Sequence, residues 1–247
     1  MNKNVFITGG TSGIGKSLIH KLAKNRYNIF FTYFNNPNKA RQISKELKKY
    51  NISCNYTKMD LANEESINKA FKKFSQQFKK INIFINNASP KIKRINFLKL
   101  KNKDILKYIK SLLVGNIITL KNALKIISKQ KSKDHSTVIN VSSYSSISGG
   151  RDIHLYAASK SAINTITVAL SKDKIKNKIK FFSIVPRYVD TPSFRVNNNI
   201  KNNKDLILFK KNKKIKKINS SEDFSLFIYK KFIKNSNNSK KTIIYYD

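Results

Sequence analysis

Apolar and polar positions along the chain alternate between two periods. Residues 5–8 form a short continuous apolar run ending in glycines, the pattern of a buried strand. Residues 14–25 then carry Ile14, Leu18, Ile19 and Leu22 at helical spacing. A second strand is predicted over 29–33, a helix opened by Pro37 runs to about residue 50, and a third strand follows over 52–59. Over 64–79, Ile67, Ala70, Phe71, Phe74 and Phe78 share one helical face. The alternation continues with a strand over 81–85, a long helix over 104–129 and a strand over 137–141. Next comes a helix over 156–170, with Ala158, Ala162, Ile166 and Ala169 on one side, and a strand over 179–185. Residues 192–219, rich in Lys and Asn, read as irregular, before a last helix over 224–233 and a last strand over 242–246.

The predicted strands are continuously apolar, so both their faces are buried, as in a parallel sheet covered by helices. No repeat or linker interrupts them. The expectation is an α/β fold: one doubly wound Rossmann domain over 1–247, with about seven parallel strands and helices on both faces. No run approaches the roughly 18 apolar residues of a membrane span. The first residues open a strand and lack the apolar core of a signal peptide. The lone Cys54 makes neither an internal disulfide nor a metal cluster. A cytoplasmic protein without metal or membrane partner is expected.

The formal net charge of +38 on 247 residues suggests a polyanion partner. Its make-up points elsewhere. Of the 51 basic residues 45 are lysine and six arginine, beside 31 asparagines and 34 isoleucines. Lys, Asn and Ile share codons rich in A and T, and a nucleic-acid reader would use the bidentate guanidinium more. The lysines are also spread along the whole chain. The charge is read as codon drift, and no nucleic acid is expected as partner.

Against that background the seven glycines stand out, because Gly9, Gly10, Gly13 and Gly15 fall within seven residues. The segment Thr8-Gly9-Gly10-Thr11-Ser12-Gly13-Ile14-Gly15 lies between the first strand and the first helix. Glycines there let the backbone turn tightly and approach a pyrophosphate at a helix N-terminus. The second strand ends Thr32-Tyr33-Phe34-Asn35-Asn36, without the acidic residue that would bond an adenosine ribose and select NAD. NADP is therefore the expected cofactor, with NAD left open. Asp60 follows the third strand, where it meets an adenine edge or caps the helix beginning near Asn63. Farther along, Ser143 lies just past the fifth strand, and Tyr156 and Lys160 are four apart, on one helix face. A neighbouring ammonium would lower the phenol's pKa and suit it to proton transfer, while a serine hydroxyl holds a carbonyl oxygen.

In order and spacing these motifs resemble the classical short-chain dehydrogenase/reductase family over nearly the whole chain. Thr8 to Gly15 matches its TGxxxGxG loop, Asp60 and the following Leu61 its adenine contact, and Asn86-Asn87-Ala88 its NNA motif. Ser143, Tyr156 and Lys160 match its serine and YxxxK, and Pro186 through Val189 to Thr191 its PGxxxT segment. The resemblance implies hydride transfer with NAD(P)H, Tyr156 as proton donor, Ser143 as carbonyl holder, and Lys160 binding ribose and tuning the tyrosine. The implied cofactor set is Gly9, Thr11, Ser12, Gly13, Ile14, Gly15, Tyr33, Asn35, Asp60, Leu61, Asn87, Ala88, Tyr156, Lys160, Pro186, Val189 and Thr191. A homotetramer or dimer is also implied.

Four positions depart from the family pattern. Ser89 replaces the glycine of NNAG, Arg187 that of PG, and the sequence ends Tyr246-Asp247 without a glycine pair. Leu112 falls where the family's relay asparagine is expected, with Asn116 one turn later as a candidate substitute. The variable substrate loop falls at 192–219, where eight lysines between Lys201 and Lys217 surround Asp205. Family members of this shape reduce 3-oxoacyl thioesters on acyl carrier protein, an acidic partner, in fatty acid biosynthesis. A Tyr-to-Lys spacing of four favours carbonyl over enoyl chemistry. The expected activity is reduction of a carbonyl to an alcohol, on such a thioester or on another ketone or sugar-like substrate. A cofactor-binding protein with weak or lost catalysis is the alternative that Leu112 leaves open.

Overall fold

A computed structural model describes residues 2–131, 135–173, 175, 178–234 and 241–247. In chain order the elements are β1 (Asn4–Ile7), α1 (Gly13–Lys24), β2 (Asn28–Tyr33), α2 (Pro37–Leu47), β3 (Cys54–Lys58), α3 (Glu64–Gln77) and β4 (Ile83–Asn86). Then come α4 (Asn102–Ile109), α5 (Gly115–Lys129), β5 (Ser136–Val141), the single turn α6 (Ser145–Ser148), α7 (His154–Lys172) and β6 (Ile179–Pro186). The remainder is β7 (Val189–Asp190), α8 (Pro192–Asn197), α9 (Asn203–Asn212), β8 (Asn219–Ser220), α10 (Ser221–Ile228) and β9 (Ile243–Tyr246).

Seven strands form one sheet in the order β3-β2-β1-β4-β5-β6-β9, every pair parallel, and β7 pairs separately with β8. This is the doubly wound Rossmann-like fold expected. The order reverses between β1 and β4, which opens a crevice at the carboxyl ends of those strands.

Alternate strand residues feed two cores. Val5, Ile7, Ile29, Phe31, Ile83 and Ile85 pack with Leu18, Leu22, Ile43 and Phe224 from α1, α2 and α10. Phe6, Phe30 and Phe84 point the other way, to Phe71, Phe74, Leu120 and Ala123 of α3 and α5. Phe6 is fully buried, with ring centres of Phe30, Phe71, Phe74 and Phe84 4.7–5.7 Å away. Truncating such a ring to alanine costs about 3–5 kcal/mol.

Three expectations change. The long helix over 104–129 starts at Asn102 and is broken in style by a π-helical turn at Lys110–Val114. Contrary to the run count, Asn102–Lys129 also reaches the length and composition of a membrane-crossing helix, with mean hydropathy 1.2. Its buried residues Leu120, Ala123 and Ile127 belong to the second core. Residues 192–219 are not irregular: they form α8, α9 and β8. Thr191 caps α8, and Asn202 with Asp205 makes a reciprocal capping box on α9, supplying the helix start that apolar periodicity does not show. Neither helix has a fully buried residue, so local capping holds much of their order.

Candidate active site

The glycine loop is built for close approach. Gly9 and Gly13 have positive φ, +70° and +51°, the left-handed region that glycine tolerates. A Cβ on Gly15 would lie 2.2 Å from the Gly9 carbonyl, and one on Gly13 would lie 3.2 Å from the Thr191 Cβ. The loop therefore folds onto itself and onto the segment after β6. Ser12 is the N-cap of α1 but makes no side-chain cap bond, and the first turn holds no acidic residue. The helix thus presents amides, and an unengaged serine hydroxyl, to an anion.

Thr8, quoted within the motif but absent from the predicted site set, organises this corner. Its hydroxyl accepts the backbone N–H of both Asn87 and Ala88 at 2.9 Å. The Asn87 amide returns two bonds, to the Thr8 and Gly9 carbonyls at 3.0 and 3.1 Å. Thr32 accepts the Gly9 N–H at 3.2 Å. Behind them Asn86 donates to the Asn140 side chain at 3.1 Å, and Asn140 donates to Thr167 at 2.9 Å, all buried. Asn140 and Thr167 lay in apolar runs, where one polar residue gives no signal of its partners.

At the adenine side of the crevice, Asp60 does not cap α3. Asn63 does, accepting the Ser66 N–H at 2.9 Å, while Asp60 accepts the Ala62 N–H at 2.8 Å and leaves its second oxygen open. The Leu61 carbonyl is packed so closely by α5 that a Cβ on Gly115 would lie 2.0 Å from it. Tyr33, last in β2, is half-buried beside Tyr56, and Asn35 is exposed. Asn36 is committed as the α2 cap to the Lys39 N–H.

The predicted reacting groups meet where β5 ends and α7 begins. The Ser143 hydroxyl stands beside the Tyr156 phenol and acts to lower its pKa. Its Oγ also lies 3.3 Å from the Ser145 Oγ and accepts the Ser145 N–H. Lys160 is buried, and its ammonium donates to the Val141 carbonyl at 2.7 Å. Burial pushes the Tyr156 phenol up from its ordinary pKa, with the Ser143 hydroxyl opposing, and pulls Lys160 down to about 8. The largest influence on Tyr156 is thus burial, which acts upward, while the Lys160 ammonium lies 5.8 Å from the centre of its ring.

Leu112 is buried in the π-helical turn. Asn116 is buried one turn on, where its amide donates to the Leu112 carbonyl at 2.9 Å, while its own carbonyl accepts from Asn86 at 3.4 Å. The candidate substitute is thus tied to the backbone of the residue it was to replace. Beyond the site, Pro186 accepts the Tyr144 N–H at 2.9 Å, Val189 is buried in β7, and Thr191 accepts the Phe194 N–H. Thr11 and Ile14 lie half-buried in the glycine loop.

The loop, the Asn87 corner and the Ser143–Tyr156–Lys160 group thus share the carboxyl edge of one sheet. The glycine cradle that any Cβ would fill, and the uncapped α1 terminus, fit a dinucleotide. Tyr156 and Ser143 can donate a proton to, and hold, a carbonyl oxygen.

Comparison with known proteins gives a consistent result. Residues 3–202 match the model of the short chain dehydrogenase family. The chain is 27% identical over 190 residues to the oxidoreductase YhxC of Bacillus subtilis (strain 168), covering 77% of this chain and 65% of that protein, just under two thirds of its length. It is 27% identical over 187 residues to the 3-oxoacyl-[acyl-carrier-protein] reductase FabG of Aquifex aeolicus (strain VF5), covering 75% of this chain and 73% of that one. Among solved structures, levodione reductase superposes with a TM-score of 0.86 at 20% identity, over 99% of this chain and 96% of that chain. A short chain dehydrogenase from Burkholderia cenocepacia J2315 in complex with NADP superposes at 0.83 and 18% identity, over 99% and 96%.

Proposed function

Because the chain belongs to the short chain dehydrogenase family, we propose that it reduces a carbonyl compound to an alcohol with NADPH. One observation carries this reading: Ser143 stands beside Tyr156 on the same sheet edge as the glycine cradle, with Lys160 on the next turn of the helix. A nicotinamide cofactor, when bound at the glycine cradle, would supply the hydride. Ser143 holds the carbonyl oxygen, and Tyr156 gives it a proton. The raised phenol pKa keeps Tyr156 protonated through neutral pH, the state a donor needs. Lys160, with a pKa of about 8, is mostly cationic at neutral pH and leaves positive charge behind the reacting phenol.

NADPH is preferred over NADH because β2 ends at Tyr33 without a carboxylate, and Ser12 has an unengaged hydroxyl. The NADP-bound neighbour and the reductase among the relatives are consistent with this choice and with a 3-oxoacyl thioester as one substrate.

The test is to follow absorbance of reduced cofactor with a panel of ketones, 3-oxo acids and 3-oxoacyl thioesters. Decay with NADPH that is lost in Tyr156→Phe supports the reading. Tight cofactor binding without turnover on any member would instead support the second reading, a cofactor-binding protein with lost catalysis. The observation favouring that one is Leu112, an apolar side chain in the turn beside the site.

A further inference from the structure

Arginine is scarce here, and hydrogen bonds hold half of it. Arg26 donates to the Tyr50 carbonyl, Arg94 to the Asn197 and Arg151 carbonyls, and Arg195 bidentately to Asp190. Arg187 is placed differently. It follows β6 at the carboxyl edge of the sheet, with its backbone N–H bonded to the Tyr246 carbonyl at 2.9 Å. Its guanidinium carbon lies 4.9 Å from the ring centre of Tyr144 and 5.6 Å from that of Tyr188. Among the described residues its polar side-chain contact is a long one, Nη1 to the Asp247 carboxylate at 3.9 Å. The side chain is 46% exposed.

A guanidinium against aromatic rings is steadied through its π face, which leaves the in-plane N–H donors for other partners. Held in that way, the group is a rigid fork matched to the paired oxygens of a carboxylate or a phosphate. Its neighbourhood is the reacting one. Tyr144 directly follows Ser143, and its N–H is bonded to Pro186. Tyr188 leads to Phe194 of α8 at 6.4 Å, which meets Phe209 of α9 at 5.5 Å. Rings thus run from the reacting serine to the α8–α9 cover, with the fork among them. A general positive field does not need an arginine there, since 45 lysines supply it.

We propose that Arg187 recognises an anionic pair of oxygens on the substrate, so that the preferred substrate is a keto acid or a phosphorylated ketone; this rests on the carbonyl-reductase reading above. Asp247 holds the fork loosely until the substrate anion displaces it. No covalent step is added.

The experiment compares a 3-oxo acid, its neutral methyl ester and a phosphorylated ketone, in the wild-type chain and in Arg187→Met and Arg187→Lys. The wild type should favour an anionic substrate over the ester in kcat/KM by about ten- to a hundredfold, mainly through KM. Whichever anion leads, acid or phosphate, identifies the source of the paired oxygens. Arg187→Met should erase the preference while keeping turnover of the ester, which also reports that the variant is folded. Arg187→Lys should restore only part of it, because an ammonium has no fork. Equal kcat/KM for anion and ester in the wild type, or a preference untouched by Arg187→Met, overturns the proposal. Calorimetric titration with succinate and with inorganic phosphate reads the fork independently of turnover. Binding lost in Arg187→Met upholds it even where no carbonyl is reduced, and such a result would discard the reductase reading alone. No binding and no anion preference would overturn the fork while any ester reduction left the reductase standing.

Discussion

Lys160 donates to the Val141 carbonyl at 2.7 Å, and its ammonium lies 5.8 Å from the centre of the Tyr156 ring. The lysine therefore joins α7 to the end of β5 from a buried position. Its charge is costly there, which is why its pKa falls to about 8.

That depression has a definite sign in stability. The unfolded lysine titrates near 10.4, so between about pH 8 and 10.4 the unfolded chain binds more protons than the folded one. Unfolding free energy then rises with pH across that window by up to roughly 3 kcal/mol. Below pH 8 both states are protonated, and the full cost of the buried charge is present. Chemical denaturation at several pH values should show this rise in the wild type relative to Lys160→Met. Parallel curves for the two proteins would exclude it.

Removing the phenol removes the proposed proton donor. Tyr156→Phe should lower kcat by about 10²–10⁴-fold, since general acid catalysis contributes that much. Ser143→Ala also removes the hydroxyl beside Tyr156, and the phenol pKa should rise further, because Ser143 is the influence lowering it. Turnover gives the first effect, and ultraviolet titration of the tyrosine gives the second.

Gly115 matters for packing. An added Cβ would lie 2.0 Å from the Leu61 carbonyl, which is backbone and can move only by displacing the loop after β3. Gly115→Ala should destabilise the fold by about 1–3 kcal/mol despite alanine's better helix propensity. Cofactor affinity should fall with it, because Asp60 and Leu61 shift together. Thermal unfolding and cofactor titration check the two effects.

Cofactor choice should turn on the end of β2. Tyr33→Asp puts a carboxylate at the last strand residue, where it repels a 2′-phosphate and accepts from a ribose hydroxyl. The ratio of NADPH to NADH affinity should drop by tenfold or more, on the order of 1.4 kcal/mol. An unchanged ratio would place phosphate discrimination elsewhere, with Ser12 the next residue to substitute.

The glycine loop and the Tyr156–Lys160 pair were legible because each is local. A turn after a strand and a four-residue helical spacing are set by nearby backbone geometry. The strands were legible because burial on both faces leaves continuous apolar runs such as Val5 to Ile7. The α8–α9 cover was not, because its order comes from capping by Thr191, Asn202 and Asp205 within a lysine-rich background. The Thr8–Asn87 exchange and the Asn86–Asn140–Thr167 chain join residues 27 to 80 positions apart, and no periodicity reports such distances.

Chain pattern alone was thus sufficient for the main strands, the parallel sheet and most of the helices packed on it, since those follow from short-range sterics and from burial, while the candidate reacting side chains came from the family resemblance. How those side chains are poised depended on the folded chain. Whether Lys160 faces the phenol or the strand, and whether burial or a neighbouring charge governs Tyr156, are matters of solvent exclusion and of which carbonyl lies within 3 Å. The same holds for Arg187, an isolated departure in the sequence whose guanidinium the fold brings within 4.9 Å of the ring centre of Tyr144, a residue of a distant segment, beside its neighbour Tyr188.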